Sequence, residues 1–154
     1  MGRRRFTVPA LLLILAASQG VVGVWAMVTP RGFYDGFPAP GHPWVAWLGP
    51  YNEHLVFDYG AASLALVVVT LAAAARPSRD HLTGVALAWI AWAWPHLLFH
   101  AAHLDAFPAA DAAANSAIAF ATAVIPVYVL FAVARRPRTG SDDAERKPRR
   151  AVRG

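Results

Sequence analysis

Four stretches of this chain are each apolar for long enough to cross a lipid bilayer, and nothing else in the sequence constrains the fold as strongly. A spanning helix needs about 20 predominantly apolar residues. Here the stretches fall at about 7–29, 53–75, 82–104 and 112–134, the second opening on the polar turn Asn52-Glu53-His54. All are apolar around the whole helical circumference, as helices that face lipid are. The expected fold is therefore all-α, a bundle of four transmembrane helices. Charged residues make up 15% of the chain, against about 25% in soluble domains, so a water-soluble globule is not expected.

The basic residues give the orientation. Arg3, Arg4 and Arg5 precede the first stretch, Arg76 and Arg79 lie between the second and third, and eight more follow the fourth. Only Arg31 falls in the first long loop, so thirteen of fourteen lie on one side. Positive charge marks the cytoplasmic face, which places both termini inside and the 30–51 and 105–111 loops outside, in a plasma membrane. The same distribution argues against nucleic acid as a partner, because the net charge of +5 sits at chain ends and one turn rather than on a folded face. An N-terminal run of this kind can also be a cleaved signal peptide. Its apolar segment continues to Val28, beyond the roughly 7–15 residues of such a leader, so a retained first helix is expected.

The first loop carries Pro30, Pro38, Pro40, Pro43 and Pro50, with Gly32, Gly36, Gly41 and Gly49. Loops of this length inside compact domains are uncommon and often functional. Pro43 to Leu48 reads as a short interfacial helix whose tryptophans sit at headgroup depth, and the loop as a belt capping the bundle or as a lid. The tail, 135–154, is polar and strongly charged and is expected to be disordered, its basic residues drawn to anionic lipid.

Ionisable groups within spanning segments are costly and usually functional. His54 and Asp58 are four apart on the second span, and His96, His100 and His103 share a stripe on the third that Trp92 and Trp89 continue. Folding the two helices about a turn near residue 78 brings His54 level with residue 102 and Asp58 level with residue 98. All five groups then lie at one depth. Imidazoles with a carboxylate and no thiolate suit zinc, iron, manganese or copper. The chain has no cysteine, which excludes disulfides, iron–sulfur clusters and a thiol nucleophile. Four readings stay open for the cluster: a metal ion on His54, Asp58, His96, His100 and His103; a haem held by two histidines such as His54 and His100; a polar network that holds the helices together; or a proton or ligand-binding site. His42 reaches this cluster only if its loop folds over the bundle, and His81 belongs to the opposite end.

The segments Leu48-Gly49-Pro50-Tyr51-Asn52-Glu53-His54-Leu55-Val56-Phe57-Asp58 and Pro95-His96-Leu97-Leu98-Phe99-His100-Ala101-Ala102-His103-Leu104-Asp105 resemble blocks of small four-helix membrane proteins of high-GC actinobacteria. The plan, a long first loop and then three closely spaced helices, is similar to that of DoxX-like proteins. That resemblance implies a plasma-membrane protein, with links in some members to quinone or thiol redox systems. The functional expectation is a binding or redox protein holding a metal, haem or quinone at its outer side. The alternatives are an accessory subunit of a larger membrane complex or a homo-oligomer, and a zinc-dependent membrane hydrolase.

Overall fold

A computed structural model describes residues 3–135, so the expected disordered tail lies outside the described residues apart from Arg135. Four long helices dominate: α1 (Arg3–Val28), α3 (Glu53–Ala75), α4 (Arg79–Ala102) and α5 (Ala109–Ala134). Each is long and apolar enough to cross a membrane. A short helix, α2 (Pro30–Gly36), and a hairpin of two-residue strands, β1 (Pro38–Ala39) and β2 (His42–Pro43), fill the first loop, followed by a 3-10 turn at Ala46–Leu48. That turn occupies the second half of the segment expected to form an interfacial helix. The hairpin pairs Ala39 with His42 around Pro40-Gly41, the order a type II turn requires, and Gly41 takes the positive φ of 84°.

Two helices start with side-chain caps. The Asn52 side chain accepts from the Leu55 amide, and that of Ser78 accepts from the His81 amide, each at 3.2 Å. These caps satisfy amides that a helix start leaves orphaned. The Ser78 cap starts α4 at Arg79 rather than at residue 82, and α5 likewise begins at Ala109, directly after Pro108, rather than at residue 112. Both added turns carry a carboxylate, Asp80 and Asp111, which the positive end of the helix dipole favours.

The bundle is built as two close pairs, α1 with α3 and α4 with α5, with far sparser contact between the pairs. Close approach of α1 to α3 depends on glycine. A Cβ on Gly60 would lie 2.9 Å from the Gly23 carbonyl and 2.7 Å from Met27 Cγ. Small residues at such crossings are how membrane helices gain van der Waals contact. At the end that carries the turn between α3 and α4, all four helices converge on a core of Val8, Leu12, Leu15, Ala73, Leu82, Trp89 and Val133. Fully buried Trp89 donates through Nε1 to Thr70 Oγ1 at 2.8 Å, tying α4 to α3 there. Toward the other end the pairs diverge, and the first loop folds across the gap. Outward-facing Leu13, Val21, Val68, Leu87, Leu98, Phe120 and Phe131 stay exposed, giving the exterior the apolar surface that lipid would cover.

Candidate functional site

The divergence leaves a cavity of about 690 Å³ at the loop end, within the 300–1,000 Å³ typical of small-molecule sites. Each long helix contributes one stripe to its wall. From α1 come Gln19 and Val22; from α3 and the Asn52 cap that precedes it, Asn52, Leu55, Val56 and Tyr59; from α5, Asn115, Ile118, Ala119 and Thr122. The α4 stripe is Trp92, Ala93, His96, Phe99 and His100. Those spacings of three and four mark a single helix face. The remaining wall is the loop, through Phe33, Phe37, Trp44 and Leu48.

The loop is fastened to α5 by one carboxylate. Asp111 Oδ1 accepts from Trp44 Nε1 at 2.7 Å and meets His42 Nδ1 at the same distance. Both Trp44 and Asp111 are buried. Edge-to-face contacts continue the closure, with Phe107 against Trp44 and Trp47 at 6.3 and 5.8 Å. At its far side Arg31 pairs with Asp35 at 2.6 Å and lies over the Tyr34 and Tyr51 rings. The loop is therefore a packed cover rather than a slack connection, and His42 does reach the bundle because the loop folds over it.

A ladder of rings runs along α4 into the cavity. Trp89 meets Trp92 edge-on at 5.7 Å, Trp92 stacks on His96 at 4.7 Å, and His96 meets His100 edge-on at 4.4 Å. The stripe read from the sequence thus holds from Trp89 to His100. His103 leaves it, because α4 ends at Ala102 and His103 takes φ −126°, ψ 31° as the C-cap. Its ring stacks on Phe99, and its Nδ1 lies 2.7 Å from the Phe99 carbonyl, out on the surface.

His54 and Asp58 sit at the same end as the α4 histidines but do not meet them. Each immediately precedes a cavity-lining residue, Leu55 and Tyr59, and one residue is a rotation of about 100° around a helix. They face outward, with side chains 80% and 58% exposed, and lie 3.3 Å from each other. Among the described residues no three His, Asp or Glu side chains are placed to hold a metal ion. The five expected ligands therefore separate into an outward pair, a cavity pair and a surface histidine. A haem between His54 and His100 is not supported either, since His54 is outside the cavity wall.

Two polar groups that the sequence did not single out as site residues take their place. Gln19, buried on α1, donates to Ser63 Oγ at 2.8 Å and is satisfied. Asn115 and the expected His100 are not: both are more than nine-tenths buried, both line the cavity, and Asn115 Oδ1 and His100 Nδ1 have no partner. A buried polar atom without a hydrogen bond costs about 1–3 kcal/mol. The signal in the sequence was the spacing of Asp111 and Asn115, four apart on one face.

No known protein family matches the chain, and no curated protein or solved structure is similar to it.

Proposed function

We propose that this chain is a small integral protein of the plasma membrane, with both termini cytoplasmic, that binds an apolar small molecule between its two helix pairs. One observation carries the reading: a mostly apolar cavity of small-molecule size lies between the two helix pairs, with the buried polar side chains of His100 and Asn115 in its wall. At about 30 Å³ per water-sized group, the cavity of about 690 Å³ accepts a molecule of roughly twenty non-hydrogen atoms.

In this reading Val22, Val56, Ala119 and Phe99 bury the apolar body of the ligand, and His100 with Asn115 fixes its polar end. His96, held between Trp92 and His100, keeps the His100 ring in place. The cover fastened by Asp111 excludes water from the polar end. Quinones, expected from the sequence, belong to the class of molecules this space admits. The proposal keeps the binding role expected there and assigns it to an organic ligand, because the metal-ligand side chains do not converge. It does not depend on the resemblance to DoxX-like proteins.

The test is mass spectrometry of small molecules extracted from protein purified in native-membrane nanodiscs, comparing the wild type with Ala119→Phe and His100→Leu. Ala119 is buried in the wall, so phenylalanine there fills the space, whereas leucine at 100 removes a polar anchor and leaves the volume. A near-stoichiometric species present in the wild type and depleted in both variants is the expected result. A wild type with nothing enriched over bulk lipid overturns the proposal and favours the accessory-subunit reading, with the polar residues purely structural.

A further inference from the structure

We infer that the ligand is an uncharged lipid with a single hydrocarbon chain, and that it enters sideways from the bilayer through the seam between α1 and α5. The inference rests on the cavity-binding reading above and adds to it the class of the ligand and its route.

The class follows from charge and volume. The cavity wall holds no Lys, Arg, Asp or Glu, so nothing in it would pair with a charged head group. An unpaired buried charge is far costlier than an unpaired polar group. A phospholipid, with a charged head group and two long chains, also exceeds the roughly twenty groups of about 30 Å³ that fill a cavity of about 690 Å³. One long chain with a small neutral end fits.

The route follows from where the wall is thin. Val21 on α1 and Ile118 on α5 line the cavity and are nevertheless 65% and 58% exposed. They lie near one depth. Leu12 and Val129 share the turn-end core; taking these two as level, equal rise along antiparallel helices sets Val21 level with about residue 120, between Ile118 and Thr122. Over their length α1 and α5 touch less than α3 and α4 do. The hydroxyls of this seam are turned back on their own helices, Ser18 Oγ donating to the Leu15 carbonyl at 3.0 Å and Thr122 Oγ1 to the Ile118 carbonyl at 2.8 Å. A hydrocarbon chain passing between them therefore strips water from no hydroxyl proton.

A second feature leads to the same place. An apolar groove on the outside of α1, walled by Gly20, Val21, Val24, Trp25, Val28 and Thr29, shares Val21 with the cavity. It extends about 13 Å along the helix, up to the loop end. A chain lying against that face of α1 is guided down to the seam. The α3–α4 seam has a polar rim instead: His54 and Asp58 stand outward beside Leu55, and His103 stacks on Phe99. The loop, held by the bond of Trp44 to Asp111, covers the remaining end.

Photolabelling of the full chain in phospholipid nanodiscs tests this. The probes are methyl hexadecanoate with a diazirine at the chain end and phosphatidylcholine with the same labelled chain, and peptide mass spectrometry locates the label. At short times the ester is expected to label Val56, Ala93 and Ala119, which are buried in the cavity wall, and the phospholipid only exterior residues such as Leu98 and Phe120. In the Val21→Trp/Ile118→Trp double variant, wall labelling by the ester is expected to fall at least fivefold. In Val21→Ala/Ile118→Ala it is expected to rise at least twofold, and in Leu98→Trp to stay unchanged. Wall labelling that is equal in the tryptophan pair and the wild type overturns the route. So does a fall in both double variants, since the two residues would then matter only for folding. Phospholipid labelling the wall as strongly as the ester overturns the class. No wall labelling by either probe overturns the inference whole; the nanodisc extraction above then decides the cavity reading separately, which stands if a bound species is recovered and falls if none is.

Discussion

Replacing Gly60 and Gly84 by alanine, one at a time, sets the same chemical change against opposite surroundings. On Gly60 the new methyl would lie 2.9 Å from the Gly23 carbonyl, 3.1 Å from Ala26 Cβ and 2.7 Å from Met27 Cγ. The methionine side chain can swing away; the carbonyl is backbone and cannot. Ordinary van der Waals separation begins at 3.4 Å, so α1 and α3 must move apart by about half an ångström at their closest crossing. Overpacking of this kind costs about 1–3 kcal/mol. Alanine returns about 0.8–1 kcal/mol of helix propensity, which against the middle of that overpacking range leaves Gly60→Ala destabilised by roughly 1 kcal/mol. On Gly84 the methyl meets nothing within 4 Å, so only the propensity gain remains, about 0.5–1 kcal/mol of stabilisation. At about 2–4 °C per kcal/mol for a chain of this size, the two variants should melt roughly 3–8 °C apart in detergent, on either side of the wild type. Thermal unfolding followed by circular dichroism measures this directly. A Gly60→Ala protein that melts at or above the wild type would refute the close-crossing argument and with it the two-pair description.

Two further outcomes follow from the hydrogen bonds. Removing the carboxylate in Asp111→Ala takes the shared acceptor from Trp44 and His42, so acrylamide should quench tryptophan fluorescence more strongly and amides of residues 30–51 should exchange faster; unchanged quenching and exchange would mean the loop is held by its aromatic packing alone. Trp89→Phe keeps most of the ring but removes the bond to Thr70, and should lower stability by about 0.6 kcal/mol, the average for such bonds between membrane helices; a drop above about 2 kcal/mol would point to a packing role instead.

The four spans are legible in the sequence because hydropathy over twenty residues is a local property, and their number does not depend on how they pack. Their starts are less so, since Ser78 precedes a polar first turn and Pro108 one that carries Asp111, and an apolar window stops short of both. The rotation of each helix about its axis is not legible at all. A helix apolar all round gives no pattern from which an inward face can be read, so shared depth for His54, Asp58, His96 and His100 does not amount to shared direction. On α4 the ring stripe holds as far as the helix runs; on α3 the inward face is one residue further on, which is enough to turn His54 from the cavity to the exterior. Asp111 is hidden for a different reason, because its partners His42 and Trp44 are 69 and 67 residues away along the chain.

The core at the turn end has a kinetic corollary. Side chains of all four helices interlock there, while the loop end is joined across the pairs chiefly by the loop and its bonds to one carboxylate. Segments with little buried apolar packing open at lower free energy than the rest of a protein. The loop end is not slack within a pair, since Ala26, Phe33 and Val56 form a second core there with Trp25, Phe37 and Tyr59. Opening at that end is therefore a parting of the two pairs, in which the bonds of Asp111 to Trp44 and His42 break while both cores stay packed.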